Sequence, residues 1–140
     1  MTSAFVGFMK KIILDTDFLI HCASHKIDYE EELKRILDFA FQMYIVDKTI
    51  DELNNVIENQ KGKSKSDAKL AKAILENKNI PLIKTKKDKI VDDLILDIAE
   101  KDSKDLAVAT MDADLKRKLK KTGVSVVIIR QKSHLSLISH

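Results

Sequence analysis

Short apolar runs alternate along this chain with longer segments in which apolar residues recur at helical spacing. Continuous apolar runs indicate strands covered on both faces, and a period of about 3.6 residues indicates helices that pack by one face. Because strands that alternate with helices form parallel βαβ units, we expect an α/β fold: a three-layer α/β/α sandwich with a parallel sheet of about five strands. The predicted strands are Lys11–Leu14, Met43–Val46, Ile80–Ile83, Leu106–Ala109 and Val124–Ile129, and the predicted helices are Asp28–Phe41, Thr49–Gln60, Ser66–Asn77, Lys89–Lys101 and Asp112–Thr122.

Local signals mark several ends of these elements. Asp47 or Thr49 is a suitable N-cap for the second predicted helix, and Ser66 for the third, which follows a basic linker over Lys61–Lys65. Pro81 lacks a backbone donor, so its strand belongs at an edge of the sheet or begins there.

The chain of 140 residues is long enough for one domain with its own core. We expect an N-terminal extension over residues 1–10, one domain over 11–130 and a polar tail over 131–140, which packs on the domain, contacts a second subunit or frays. A single cysteine excludes an internal disulfide and indicates a reducing, cytoplasmic location. No apolar run approaches the length of a membrane span.

Paired acids follow two of the predicted strands. Asp15 and Asp17 come directly after the first strand, and Asp112 and Asp114 follow the fourth. Because ligands bind at the carboxyl ends of parallel strands, both pairs are expected at the same functional edge of the sheet.

Two further acids are selected by their place on predicted helices. At about 100° per residue, Asp92 flanks the apolar face of its helix, whereas Asp93 lies on the solvated face. Glu52 lies at the corresponding boundary of its own helix, and Asp51 is on the polar side. Both selected acids are in a first turn, so they are expected to converge on the edge that carries Asp15.

These segments, in this order, resemble PIN-domain ribonucleases over residues 11–130. The resemblance implies a metal-dependent endoribonuclease that uses Mg²⁺ or Mn²⁺, with Asp15, Glu52, Asp92 and Asp112 as the catalytic, metal-binding acids and Asp114 as a fifth acid. The segments that carry it are Ile13-Leu14-Asp15-Thr16-Asp17-Phe18-Leu19, Ile50-Asp51-Glu52-Leu53, Asp92-Asp93-Leu94-Ile95 and Val108-Ala109-Thr110-Met111-Asp112-Ala113-Asp114-Leu115.

The segments Asp112–Lys118 and Ile129–Lys132 look more like the archaeal and ribosome-processing branch of that family than the compact toxin branch, and both RNA processing and a VapC-toxin-like role stay open. Two positions depart from the family pattern. Asp17 stands where Asn or Ser is frequent, and Met111 replaces a common Asn.

The chemistry of the acids agrees with this resemblance. Carboxylates packed together without compensation repel and raise one another's pKa values, and a cation removes that penalty. An oxygen-ligated divalent ion also supplies an activated water and a clamp for phosphodiester hydrolysis.

Basic side chains are predicted to hold the RNA. The net charge is only +3 and aromatic residues are 5% of the chain, so neither a global basic field nor a base-stacking platform is expected. Thr16 and Thr110 adjoin the acids, where turn chemistry or a ligand contact explains them. The predicted substrate-binding residues are Thr16, Lys84, Lys86, Lys87, Arg130 and Lys132.

Two other functions remain open. One is a non-catalytic PIN-like module that binds RNA or protein, and the other is a haloacid-dehalogenase-like phosphatase, since Asp15-Thr16-Asp17 also fits its nucleophile and acid pair. Leu19 stands where that second family expects Thr or Val. The candidate partners are RNA as substrate, a second copy of the chain as a homodimer, and an antitoxin or a ribosomal or RNA-processing factor; no membrane partner is expected.

Overall fold

The structure is a computed structural model that describes residues 9–139, so most of the expected N-terminal extension, residues 1–8, lies outside the described residues. The strands are β1 (Lys10–Leu14), β2 (Phe41–Val46), β3 (Leu82–Ile83), β4 (Leu106–Ala109), β5 (Ser125–Arg130) and β6 (His134–Ile138). The helices are α1 (Thr16–Ser24), α2 (Tyr29–Ile36), α3 (Lys48–Asn59), α4 (Gly62–Lys78), α5 (Val91–Lys101) and α6 (Ala113–Thr122).

One six-stranded sheet organises the described residues, in the order β3-β2-β1-β4-β5-β6. All neighbouring strands are parallel except β5 and β6. The predicted α/β class is therefore confirmed, with β3 at an edge of the sheet as the proline in that segment suggested.

The two faces of the sheet carry separate apolar cores, as the period of two along a strand requires. Ile12 and Leu14 of β1 belong to the core beneath α1 to α4, whereas Ile13 belongs to the core beneath α5 and α6. All three side chains are fully buried. The central strands β1 and β4 thus end in rigid, doubly covered positions, which is where the predicted acids begin.

Two predicted elements on the α1–α4 side are wrong in part, and one helix is missing from the prediction. The helix expected over Asp28–Phe41 ends at Ile36, because Phe41 pairs with Lys10 of β1 and so belongs to the sheet. The basic linker is shorter than expected and Ser66 is not a cap, because α4 begins at Gly62, where Lys63 pairs with Asp67 one turn later. Helix α1 was not predicted at all, although it buries apolar residues at helical spacing.

The C-terminal segment forms a sixth strand, which the prediction of about five strands did not include. Leu135 is buried. Its backbone N–H donates a hydrogen bond to the Glu32 carboxylate at 2.9 Å, and its C=O accepts one from the Arg35 guanidinium at 3.1 Å. In the structure the segment packs on the domain, which was the first of the three alternatives left open.

Across residues 9–139, none of the helices combines the length and the apolar character that crossing a membrane requires.

Candidate active site

Asp15 lies at the junction of β1 and α1, with both carboxylate oxygens engaged. Its backbone is extended and its side chain caps α1, where Oδ1 accepts a hydrogen bond from the Thr16 N–H at 2.8 Å. Oδ2 accepts from the hydroxyl of Thr110 at 2.8 Å. Leu14 and Ala109 are register partners in β1 and β4, which explains why the residues that follow them meet.

Asp15 and Asp92 form a close pair of carboxyl groups, of which Asp15 is buried and Asp92 is half-buried. Burial raises the pKa of Asp15 to about 8, and the neighbouring Asp92 adds to the increase. The pKa of Asp92 is raised as well, first by burial and then by Asp112, Asp17 and Glu52, while its hydrogen bond with Asp15 opposes the shift. Without a cation, the two carboxyl groups therefore hold a proton at neutral pH.

Asp112 connects the end of β4 to α6. Its Oδ1 accepts from the Leu115 N–H at 2.7 Å and so caps the helix, and its own N–H donates to the Thr110 hydroxyl at 3.0 Å. Thr110 therefore joins Asp15 to Asp112 through one oxygen atom. The other oxygen of the Asp112 carboxylate, Oδ2, accepts no hydrogen bond from the described residues.

Glu52 is tied to the helix that carries Asp92. Its Oε2 accepts a hydrogen bond from the backbone N–H of Val91 at 3.1 Å, across the boundary between α3 and α5. The contact fixes the first turn of α5 and keeps the Glu52 carboxylate close enough to raise the pKa of Asp92. The acids chosen by their helical positions, Glu52 and Asp92, thus share one edge with Asp15 and Asp112.

Asp114 and Asp17 differ from these four acids because both are exposed. Asp114 forms ion pairs with Arg117 and with Lys118, the latter at 3.1 Å, and hydrogen bonds from Lys118 and Arg117 lower its pKa. Its oxygens are therefore committed to α6. Asp93 is exposed too, in keeping with its place on the solvated face.

The residues fit a divalent ion by the type of their donors. Carboxylate oxygens are the ligands that Mg²⁺ and Mn²⁺ accept, and Mg²⁺ is often held by only one or two carboxylates, with waters and substrate phosphates completing the sphere. Within residues 9–139, no three side chains of ligand type stand close enough to form a complete protein site. The arrangement therefore fits an ion held by the Asp15–Asp92 pair more closely than an enclosed cage of protein ligands.

The predicted RNA-binding residues flank the acids. Lys84, Lys86 and Lys87 follow β3 on one side. Arg130 ends β5 and Lys132 lies in the β5–β6 turn on the other side, and all five are exposed. Since β1 and β4 lie between β3 and β5 in the sheet, the acids lie between the two basic segments. Thr16 is instead buried, and its hydroxyl has no partner among the described residues.

Two contacts near the acids were not expected from the sequence. The sequence left two roles open for Thr110, a turn residue or a ligand contact. In the structure its hydroxyl is hydrogen-bonded to both Asp15 and Asp112. Asp47 was interpreted only as a possible helix cap, but it also binds Thr85 of the β3–α5 loop. A polar residue directly after a buried strand is the signal common to Thr110 and Asp47.

Comparisons with known proteins agree with this architecture. The family model described as a PIN-like domain matches residues 12–132. The chain is 32% identical over 129 residues to Ribonuclease VapC4 of Methanocaldococcus jannaschii, which covers 92% of this chain and 97% of that protein. Its fold is similar to that of the PIN domain endonuclease Utp24, with a TM-score of 0.74 and 21% identity over 93% of this chain and 92% of the other.

The family match spans most of the chain, and the matched protein VapC4 is covered almost completely. The matched residues include the ends of β1 and β4 and the N-terminal halves of α3 and α5, which carry Asp15, Asp112, Glu52 and Asp92. The resemblance to PIN domains is thus confirmed, and the chain belongs to the PIN-like domain family.

Proposed function

We propose that the protein is a metal-dependent endoribonuclease that hydrolyses phosphodiester bonds in RNA. The observation that carries the proposal is the carboxyl pair of the buried Asp15 and the half-buried Asp92, whose pKa values are raised first by burial and then by neighbouring carboxylates. Such a pair is costly for the fold alone and is characteristic of a functional site. The name ribonuclease, borne by the VapC4 relative, supports the same activity.

In this proposal, Mg²⁺ or Mn²⁺ binds to Asp15 and Asp92, with Asp112 as the third acid at the site and Glu52 as a catalytic acid that also orients α5. Asp114 is the weakest of the proposed ligands, because it is exposed and paired with Arg117 and Lys118. A bound divalent ion supplies an activated water and neutralises charge that develops on the phosphate.

The chain's own residues hold the acids and the substrate. Thr110 keeps the Asp15 carboxylate oriented toward α5. Lys84 and Lys86 on one side and Arg130 and Lys132 on the other are suited to bind RNA phosphates. Each phosphate contact of this kind makes RNA binding weaker as the salt concentration rises.

The test is cleavage of a single-stranded RNA, labelled at its 5′ end, by the purified protein in EDTA and after addition of Mn²⁺ or Mg²⁺. We expect internal cuts only with the metal, and no release of phosphate from a phosphate monoester. Cleavage that continues in EDTA would remove the metal from the proposal, and monoester hydrolysis without RNA cleavage would favour the phosphatase.

A second candidate is a non-catalytic PIN-like module that binds RNA or protein. The observation that favours it is that no three ligand-type side chains within residues 9–139 form a metal site. RNA binding without metal-dependent turnover in the same assay identifies this candidate.

Two cellular roles are compatible with this activity, a toxin and an RNA-processing enzyme. A toxin role implies an antitoxin protein as partner and growth arrest when the chain is expressed alone in a host cell. A role in RNA processing implies a ribosomal or RNA-processing partner and accumulation of an uncut precursor RNA when the protein is removed. Homodimer formation and a cytoplasmic location also remain proposals.

A further inference from the structure

Helix α3 holds both ends of the loop that joins β3 to α5. At the first end, its N-cap Asp47 accepts hydrogen bonds from the Thr85 N–H at 2.9 Å and from the Thr85 hydroxyl at 2.5 Å. At the second end, Glu52 accepts from the Val91 N–H at 3.1 Å. The loop is therefore fixed against the same helix that supplies Glu52 to the acidic edge.

Lys87 is a structural part of this loop. Its φ of 54° is a left-handed conformation that residues with a Cβ rarely adopt. Its N–H donates to the Thr85 hydroxyl at 3.1 Å, and its C=O accepts from the Lys48 ammonium at 3.3 Å. Its own ammonium pairs with Asp51 at 3.3 Å. The backbone groups of Lys87 and its ammonium charge are thus all bound by other residues of the protein.

Lys84 and Lys86 have the opposite character. Both side chains are exposed, and neither forms a salt bridge in the part of the chain that the structure describes. Lys89, at the other end of the loop, pairs with Asp97 at 2.7 Å. Two of the four lysines between β3 and α5 therefore keep their charge available for an external anion.

Asp47 is suited to hold such a loop. Partial burial acts to raise its pKa, but hydrogen bonds from Thr85 and Lys48 outweigh that effect and leave the pKa below its usual value. The carboxylate is charged at neutral pH, and charged acceptors make stronger hydrogen bonds than neutral ones. The loop is held at its first turn before any ligand arrives.

We propose that Asp47 and Thr85 are positioning residues that hold Lys84 and Lys86 where they bind phosphates of the RNA substrate beside the Asp15–Asp92 pair, while Lys87 supports the loop. The inference rests on the proposed ribonuclease function. Its consequence is that a contact remote from the reacting phosphate controls RNA affinity with little effect on the chemical step.

The first test uses Thr85→Val, which keeps the side-chain shape and removes the hydroxyl. Loss of about 1 kcal/mol of hydrogen bonding is expected to raise KM for a single-stranded RNA about 5-fold while kcat stays within about twofold. Thr85→Ser restores KM. The matched control is Thr122→Val, which also removes a hydroxyl that both donates and accepts, at the far end of α6.

The second test measures the affinity of the same RNA, by fluorescence anisotropy in EDTA, at several salt concentrations. The double variant Lys84→Ala/Lys86→Ala is expected to reduce the slope of log K against log salt by about 1.4, since each lost contact to single-stranded RNA removes about 0.7. Lys87→Ala should lower the slope by less than the double variant does, because the Lys87 ammonium is paired with Asp51, and the control Lys101→Ala, at the opposite end of α5, should leave the slope unchanged.

These measurements separate the inference from the function on which it rests. If the wild-type protein binds RNA but does not cleave it, the ribonuclease proposal fails while the binding data still test the loop. If Thr85→Val binds RNA as the wild type does, or Lys87→Ala lowers the slope as much as the double variant, the inference is overturned. If the wild type neither binds nor cleaves RNA, both proposals fail.

Discussion

The hydroxyl of Thr110 donates a hydrogen bond to the carboxylate of Asp15 across the β1–β4 pair at 2.8 Å and also accepts one from the Asp112 N–H at 3.0 Å. One oxygen atom thus links two acids that are far apart in sequence. Because Thr110 is fully buried and follows a central strand, its position is fixed by the sheet. The geometry of the acids therefore depends on the rigidity of β1 and β4.

Thr110→Val is expected to lower kcat for RNA cleavage about 10-fold, because the loss of a hydrogen bond of about 1.4 kcal/mol leaves Asp15 less well oriented. In the metal-free protein the pKa of Asp15, read by NMR, should rise further, since the Thr110 hydrogen bond lowers it. Thr110→Ser keeps the hydroxyl and should retain most of the activity. Equal rates for the Val variant and the wild type would contradict this role.

Asp15 is expected to make the metal-free protein less stable at high pH. Its pKa is 3.8 when unperturbed and about 8 in the folded chain, so the folded state binds more protons than the unfolded state between these values. Stability is therefore fully present below about pH 4 and is lost as the pH rises toward 8.

The measurement is urea unfolding in EDTA at pH 5 and pH 8, for the wild type and for Asp15→Asn, whose amide does not ionise. The wild type should lose at least about 1 kcal/mol more than the variant between the two pH values, since one pKa unit corresponds to about 1.4 kcal/mol. Mn²⁺ should stabilise the wild type more at pH 8 than at pH 5. Parallel losses in both proteins would refute the pKa assignment.

Strand β6 is expected to be needed for stability. Leu135 is 1% exposed and joins the core, so Leu135→Ala should lower the free energy of unfolding by about 2–4 kcal/mol. Leu82→Ala is the matched control, because Leu82 is 54% exposed and the same truncation there should cost less than about 1 kcal/mol. Similar losses at the two positions, measured by urea unfolding, would show that β6 does not contribute as described.

Much of the fold could be predicted because the apolar pattern is strong where strands are buried on both faces. Ile12, Ile13 and Leu14 form one continuous apolar run, and each is fully buried in one of the two cores. The helix predicted through Phe41 failed because pairing with β1 decides that segment, and a single sequence does not reveal this long-range contact. Strand β6 was missed for the same reason, since the short segment His134–Ile138 gives no sign of its antiparallel partner.

The site was predictable only as far as topology and helical position determine it. Strand ends bring Asp15 and Asp112 to one edge, and the helical positions of Glu52 and Asp92 bring them to the same edge. The direction of an exposed side chain is not encoded in this way, so the pairing of Asp114 with Arg117 and Lys118 was not foreseen. The contact between Asp47 and Thr85 joins residues 38 positions apart and likewise needs the folded chain.

Asp15 and Asp92 are proposed to form the metal-dependent centre of a ribonuclease. The most direct measurement compares Mn²⁺-dependent RNA cleavage by Asp92→Asn and Asp93→Asn, adjacent acids that receive the same chemical change. Circular dichroism should give a folded protein for both. We predict that Asp92→Asn, like Asp15→Asn, loses at least about 100-fold in kcat, in the range of other lost catalytic groups, whereas Asp93→Asn cleaves as the wild type does. Undiminished cleavage by Asp15→Asn and Asp92→Asn would contradict the account.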